Sequence, residues 1–402
     1  MSDYTHVDIH SVQSSKKPGM PCGDLLATVR TNTGTTIICA DGIGSGIRAH
    51  IAAQMCVSRL TASLEQELSL RTVFQSVATT MQASRDPQKP FAAFSIARIR
   101  SDGYATIFSY DAPLPILVSR QGATVLANRP FPLPGGLAVE SNCQLDRGEG
   151  LLLMSDGITQ AGLGHGATTE WTSEGVVRFI NSKISSRLKL SLAPEMLHKE
   201  ALARWKGEGH ADRSFSPYSP RRSATTVTGD DCSVILGLCR TGQTVNIFTG
   251  PPLDRDNDMP TVKRFLQLPG LKIVCGGTTA KLVAKYLNVP LEMESEPMST
   301  IAPPRYGIKG INLVTEGAVT LNQVYNILDE DVANLHEDSG VTELRLLLGV
   351  ADKLNIILGV ADNTANADIS FRQRGVLSRK VLIPLLADKL RQEGKLVNVE
   401  TV

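Results

Sequence analysis

The sequence predicts an α+β half with antiparallel strands, followed by an α/β half built on a mostly parallel sheet. Three observations carry this. Short strand-like runs follow one another closely up to residue 120, and successive short strands pair antiparallel because parallel neighbours need long crossovers. After Arg240, apolar runs alternate regularly with helical stretches, the pattern of a parallel sheet with helices on its faces. At 402 residues the chain is also too long for one ordinary core. The expected division is residues 1–240 and 241–402.

In the first half, GDLLATVRT (23–31) and TTIICAD (35–41) are strand-like and flank a turn at Asn32-Thr33-Gly34. Residues 45–68 and 72–83 carry helical spacing, with Ile47, Ile51, Met55, Leu60 and Leu64 expected on one core-facing side. FAAFSIARIR (91–100), GYATIFSY (103–110) and PILVSR (115–120) alternate as strands, broken by Asp102-Gly103, a plain hairpin turn, and by prolines. LLLMSD (151–156) is a further buried strand, and 171–186 and 193–204 are expected helices. Residues 206–229 are rich in Ser, Pro, Gly and Arg, a composition that predicts a mobile loop. CSVILGLC (232–239) closes the first half as a strand.

In the second half the expected strands lie in TVNIFTG (244–250), LKIVCGG (271–277), INLVTEG (311–317), LNIILGVAD (354–362) and KLVNVETV (395–402). Helices are expected between them near 260–268, 279–288, 319–329, 341–352 and 376–393. The repeated LGVAD at 348–352 and 358–362 falls once on a helix and once on a strand, so it is coincidence.

Composition narrows the function. Basic and acidic side chains number 41 and 40, a net charge of +1, which leaves no global field for a nucleic-acid backbone or an anionic membrane. The N-terminal stretch lacks an apolar core of signal-peptide length, and no apolar run approaches a membrane span. Seven cysteines are scattered without a CxxC pair, so neither a disulfide framework nor a zinc knuckle is indicated. The expected compartment is the reducing cytoplasm.

Acidic residues recur where strands meet turns: Gly23-Asp24, Asp41-Gly42 in CADGIGSG, Asp156-Gly157 in MSDGITQAG, and Asp230-Asp231 in GDDCSVIL. A glycine there lets the backbone turn sharply and leaves its carbonyl open to a ligand. Carboxylates, a carbonyl and water are the hard oxygen donors that Mg2+ or Mn2+ prefers. Gathered carboxylates repel one another, and a bound dication relieves that repulsion. Any single Asp-Gly, however, is an ordinary turn signal, and spacing alone leaves a metal site and plain turns about equally supported.

At ICADGIGSG with its following helix, at LLLMSDGITQAG and at GDDCSVILGL, the chain resembles the SpoIIE-like branch of the metal-dependent protein phosphatases, relatives of protein phosphatase 2C. The resemblance covers roughly residues 1–240. It implies two packed antiparallel sheets flanked by helices and a site for two Mn2+ or Mg2+ ions. Asp41 matches the aspartate bridging both ions and the Gly42 carbonyl a ligand to one. Asp156 and Asp230 match the carboxylates on the other ion, and Asp24 an accessory acid. Asp231 is the alternative to Asp230, which the family's pattern favours. The implied reaction is hydrolysis of phosphoserine or phosphothreonine in a partner phosphoprotein, such as a regulator of an anti-sigma factor, and a homodimer is left open. In place of the arginine that holds phosphate in eukaryotic-type relatives, only Lys16 and Lys17 precede the first motif. In many relatives the helices after the first Asp-Gly turn act as a switch, a role open to residues 45–68. Arg213, Arg221 and Arg222 could attract a phosphoprotein, although a spacer is the simpler reading.

The second half suggests a regulatory, ligand-binding or partner-binding domain. Its expected strands end in small or polar loops: Thr249-Gly250-Pro251, Gly276-Gly277-Thr278-Thr279, Thr315-Glu316-Gly317 and Asp362-Asn363. Open parallel sheets bind ligands outside such ends. Gly276, Gly277 and Thr278 could offer amides to an anion, or Thr278 or Thr279 could simply cap the helix. No nucleotide-binding glycine motif is present. Two other readings of the whole chain remain: a non-catalytic sensor or scaffold on a phosphatase fold, and a small-molecule phosphomonoesterase.

Overall fold

The computed structural model describes residues 4–44, 46–66, 68–83, 91–133, 136–163, 170–185, 189–207, 229–295, 305–330, 339–361 and 376–402. The expected loop between 208 and 228, with Arg213, Arg221 and Arg222, and the pair Asp362-Asn363 lie outside these residues. The chain forms two compact units: Thr5–Thr241, and Gly242–Val402 together with Tyr4.

The first unit opens on β1 (Thr5–Ser14), which sequence patterning did not single out, and continues through the hairpin β2 (Asp24–Thr31) and β3 (Gly34–Gly42). Helices α1 (Ile47–Glu65) and α2 (Leu70–Ala83) precede β4 (Ala92–Ile99) and β5 (Tyr104–Tyr110), whose connecting turn is Asp102-Gly103. Then come β6 (Ile116–Val118), β7 (Ala123–Val125), β8 (Asn128–Leu133), β9 (Gly136–Gln144) and β10 (Gly150–Met154). Helices α3 (Asp156–Thr159), α4 (Thr172–Ile184) and α5 (Ala193–Trp205) lead to β11 (Cys232–Thr241).

These strands form two sheets, ordered β1-β11-β10-β6-β7 and β2-β3-β4-β5-β9-β8, and every pair in them is antiparallel. Alternation along each strand sends one set of side chains between the sheets and the other outward. Val7, Ile37, Ile99, Leu151, Leu153 and Ile235 fill the layer between the sheets. Ile38, Phe94, Ile96 and Phe108 pack under α1 and α2, while Leu152, Met154, Val234 and Leu236 pack under α4 and α5. The result is the expected pair of antiparallel sheets flanked by helices.

One expectation is corrected on α1. Its buried face is Ala49, Ala52, Ala53, Cys56, Val57, Leu60 and Leu64, whereas Ile47, Ile51 and Met55 are 60%, 47% and 47% exposed. The helix is apolar on two sides. The side of small residues faces the sheet because α1 approaches β3 closely: a Cβ on Gly42 would stand 1.9 Å from the Ala49 carbonyl oxygen.

The second unit runs β12 (Thr244–Thr249), α6 (Asp258–Gln267), β13 (Leu271–Cys275), α7 (Gly277–Leu287), β14 (Glu292–Ser295), β15 (Arg305–Gly307) and β16 (Leu313–Thr315). It continues with α8 (Ala318–Asn326), α9 (Gly340–Val350), β17 (Lys353–Leu358), a tenth helix α10 (Arg379–Gln392) and β18 (Leu396–Thr401). The sheet order is β14-β15-β16-β13-β12-β17-β18. Strands β16, β13, β12, β17 and β18 are parallel, and β14 and β15 add an antiparallel edge. Asn246, Asn355 and Asn398 hydrogen-bond in series across β12, β17 and β18, at 2.8 and 3.2 Å, which holds those strands in register. Apolar cores cover both faces of the sheet. Among the described residues no helix is long and apolar enough to cross a membrane.

Candidate metal centre

The aspartates named from sequence are brought together at one edge of the first unit, where strand ends of both sheets meet. Asp24 begins β2 and Asp41 lies near the end of β3, and antiparallel register sets them directly opposite each other. Asp156 opens α3 just past β10, and Asp230 and Asp231 stand just before β11. Each carboxylate therefore sits where a strand enters or leaves a turn.

Close backbone approaches at two glycines hold this arrangement. A Cβ on Gly157 would stand 2.0 Å from the Asp231 carbonyl oxygen and 3.2 Å from the Asp230 Cβ, so only glycine lets the α3 turn lie against the start of β11. Gly42 plays the equivalent part between β3 and α1, and its amide donates to the Gly23 carbonyl at 3.1 Å. The Gly157 carbonyl accepts the Trp205 indole N–H at 2.9 Å, which ties the end of α5 to the Asp156 turn. No sequence signal pointed to Trp205, because its partner is distant in the chain and comes from backbone.

Asp231 and Asp230 differ sharply. The Asp231 carboxylate accepts the Lys16 amide at 2.6 Å and the Gly23 amide at 2.9 Å, one on each oxygen. Asp230 accepts the Asp231 amide at 2.9 Å and faces Lys16 Nζ at 3.7 Å through the same oxygen, Oδ1, leaving Oδ2 available. Lys16 thus stands at the rim of the aspartates. Lys17 is exposed, and its carbonyl closes a local turn by accepting the Ser15 hydroxyl and the Met20 amide.

Asp24 is 1% exposed, and neither of its carboxylate oxygens has a partner at hydrogen-bond distance. Burial pushes its pKa up to about 7, an effect that the nearby Ser155 and Ser233 hydroxyls moderate and the charges of Asp231 and Asp156 reinforce. Burial likewise raises Asp41 well above the usual carboxylate range, and so do the neighbouring Asp24 and Asp156 carboxylates. Asp230 is raised by burial, with the Asp231 amide and Lys16 acting against it. Gln160 holds Asp156 from one side through a 3.1 Å hydrogen bond.

This donor set suits a hard dication. The oxygens are carboxylate and carbonyl, the buried Asp24 carboxylate has no hydrogen-bond partner, and the Asp24 and Asp156 charges both raise Asp41. Among the described residues no group of three or more His, Cys, Asp or Glu side chains stands at the spacing of a metal cage. Gly276, Gly277 and Thr278 belong to the second unit, at the start of α7.

Residues 31–214 match the family model described as Stage II sporulation protein E (SpoIIE). No curated protein sequence matches the chain. Similar solved structures include the phosphatase domain of the cell-fate determinant SpoIIE from Bacillus subtilis, at 16% identity and TM-score 0.42, covering 60% of this chain and 95% of that one. A second structure, with a PP2C phosphatase domain and a fragment of the regulatory domain of SpoIIE from the same organism, is 17% identical with TM-score 0.46, over 60% of this chain and 65% of that one. The RsbU and RsbW domains of a Mycobacterium tuberculosis protein are 13% identical with TM-score 0.44, over 66% and 69%. The similarity to the SpoIIE family thus lies over residues 31–214, within the first unit.

Proposed function

We propose that this chain is a metal-dependent protein serine/threonine phosphatase, acting in the cytoplasm on a phosphoserine or phosphothreonine of a bacterial signalling protein. The observation that carries the reading is the convergence of Asp24, Asp41, Asp156 and Asp230 on one edge, with Asp24 and Asp41 paired across β2 and β3 and each carboxylate at a strand end. Asp41, Asp156, Asp230 and the Gly42 carbonyl would hold two Mn2+ or Mg2+ ions, with Asp24 as the accessory acid. When bound, the ions supply an activated water and charge stabilisation at phosphorus.

The chain's own groups would position the reaction. Asp231 pins the loop carrying Lys16, and Lys16 Nζ at the rim offers a cation to an incoming phosphate. Gly42 and Gly157 fix the two turns, and Trp205 and Gln160 hold the Asp156 turn from behind. A regulator of an anti-sigma factor is a substrate class consistent with the family.

Phosphate release from a phosphoserine peptide, with and without Mn2+, tests the reading. Metal-dependent release that chelation abolishes is expected. Turnover surviving chelation would overturn the mechanism, and a folded chain that binds no Mn2+ would favour the scaffold reading. Hydrolysis of small phosphomonoesters but not of phosphopeptides would move the substrate to a metabolite.

A further inference from the structure

The second unit gathers unmet hydrogen-bonding capacity and positive charge at the carboxyl edge of its parallel sheet. Thr249, Cys275 and Thr315 end the adjacent strands β12, β13 and β16 and stand in register. Their side chains therefore share one face, the face on which α8 and α10 pack through Leu321, Leu382 and Leu386. The hydroxyls of Thr249 and Thr315, at 0% and 1% exposure, have no hydrogen-bond partner. The Thr315 hydroxyl neighbours the Cys275 thiol, a weak acceptor.

Arg379, the first residue of α10, reaches over the same edge. Its Nη1 lies 2.5 Å from where a Cβ on Gly250 would stand and 4.0 Å from that of Gly276. The guanidinium is partly buried, burial lowers its pKa, and Arg379 makes no hydrogen bond or ion pair among the described residues. A partly buried guanidinium keeps N–H donors in a planar fork that suits an anion.

Helix α7 starts beside it. Its N-cap Gly276 has φ 118°, no side chain caps the helix, and its first turn carries no acid. A Cβ on Gly277 would meet nothing within 4 Å, so there is room beside the first turn, whose amides have no intrahelical partner. Helix α8 opens alongside, also uncapped and free of acid in its first turn, and a Cβ on Gly317 would lie 3.1 Å from the Gly276 Cα. The same unit caps α9 fully, with Ser339 and Thr342 in a capping box and Glu343 in the first turn. One acid stands nearby: Glu316 is half-buried, and its Oε2 is buried without a partner.

We propose that this edge binds a small sugar phosphate, its phosphate held by Arg379 and the first-turn amides of α7, and a sugar hydroxyl donating to Glu316. The buried Thr249 and Thr315 hydroxyls supply further donors at the strand ends. The two functions of the ligand match the two unmet partners, a cation with helix amides and a carboxylate acceptor. The proposal is independent of the metal centre.

Calorimetric titration of the full chain without divalent metal tests it, using ribose 5-phosphate, inorganic phosphate and ribose. Ribose 5-phosphate is expected to bind most tightly, and Arg379→Gln to weaken it by about tenfold or more. Thr249→Val is expected to weaken binding while raising the melting temperature of the ligand-free chain, because it removes an unpaired buried hydroxyl. Asp41→Asn should leave this binding unchanged. Absence of saturable ribose 5-phosphate binding at millimolar concentration, or equal affinity in Arg379→Gln, would overturn the proposal. Equal affinity for inorganic phosphate and ribose 5-phosphate would overturn the role given to Glu316, and loss of binding in Asp41→Asn alone would assign the phosphate to the metal centre.

Discussion

The Asp231 carboxylate accepts the Gly23 amide at 2.9 Å, while its other oxygen takes the Lys16 amide at 2.6 Å. The residue before it, Asp230, keeps an oxygen free, so adjacent carboxylates have separate roles. Asp231→Ala should lower unfolding stability by about 1–3 kcal/mol, since it leaves two amides without their acceptor. Asp230→Asn should leave stability nearly unchanged and remove phosphatase activity. Urea unfolding beside phosphate release distinguishes the two variants, and the reverse pattern would exchange their roles.

The Asp156 turn depends on an approach that no side chain permits. Gly157→Ala places a methyl 2.0 Å from the Asp231 carbonyl oxygen, and a cost of about 3 kcal/mol or more is expected from the forced backbone shift. Trp205→Phe removes the indole donor to Gly157 at 2.9 Å and should cost about 1 kcal/mol, with kcat falling more than KM rises. Thermal melts and steady-state kinetics on the two variants check both statements.

Protonation of the aspartates makes metal-free stability depend on pH. Asp24 titrates near 3.8 in its ordinary state and at about 7 when buried, so the folded chain holds a proton there that the unfolded chain has released. Its favourable contribution is complete below the lower value and is lost as pH rises through the higher one. The chelated chain should melt at a lower temperature at about pH 8 than at about pH 5. Saturating Mn2+ should narrow that difference, because a dication replaces the proton. Equal melting temperatures in chelator across this window would contradict the burial of Asp24.

The exposed side of α1 makes a separate prediction. Ile47→Gln and Ile51→Gln should each change stability by no more than about 0.5 kcal/mol, whereas Leu60→Ala should cost about 2–5 kcal/mol. Urea unfolding of the three variants is sufficient, and a large loss at Ile47 or Ile51 would restore the core-facing assignment.

Much of the candidate site was legible because its chemistry coincides with turn chemistry. Asp41-Gly42 and Asp156-Gly157 stand out as carboxylates after apolar runs, and the structure places both at strand ends. The division of labour between Asp230 and Asp231 was not legible from the residues, since it depends on which carboxylate meets the amides of Lys16 and Gly23, more than two hundred residues away in sequence. Periodicity misassigned α1 because Ile47, Ile51 and Met55 repeat as regularly as Ala49, Ala53 and Val57. Hydrophobicity favours the larger set, while the close approach of α1 to Gly42 selects the smaller. Strand β1 escaped notice because THVDIHSVQS alternates polar and apolar residues only weakly, yet it pairs with β11 along its whole length. In the second unit the parallel strands were plain from their apolar runs, and the short edge strands β14 and β15 were too brief and polar to signal themselves.

The central claim is that the gathered aspartates hold metal for phosphoester hydrolysis. Its most direct test is the rate of phosphate release from a phosphoserine peptide by Asp41→Asn in saturating Mn2+, measured beside the wild-type chain, with both shown to be folded by circular dichroism. A folded variant with release reduced to background is predicted, together with full Mn2+-dependent release by the wild type. Release by Asp41→Asn at the wild-type rate would contradict the account.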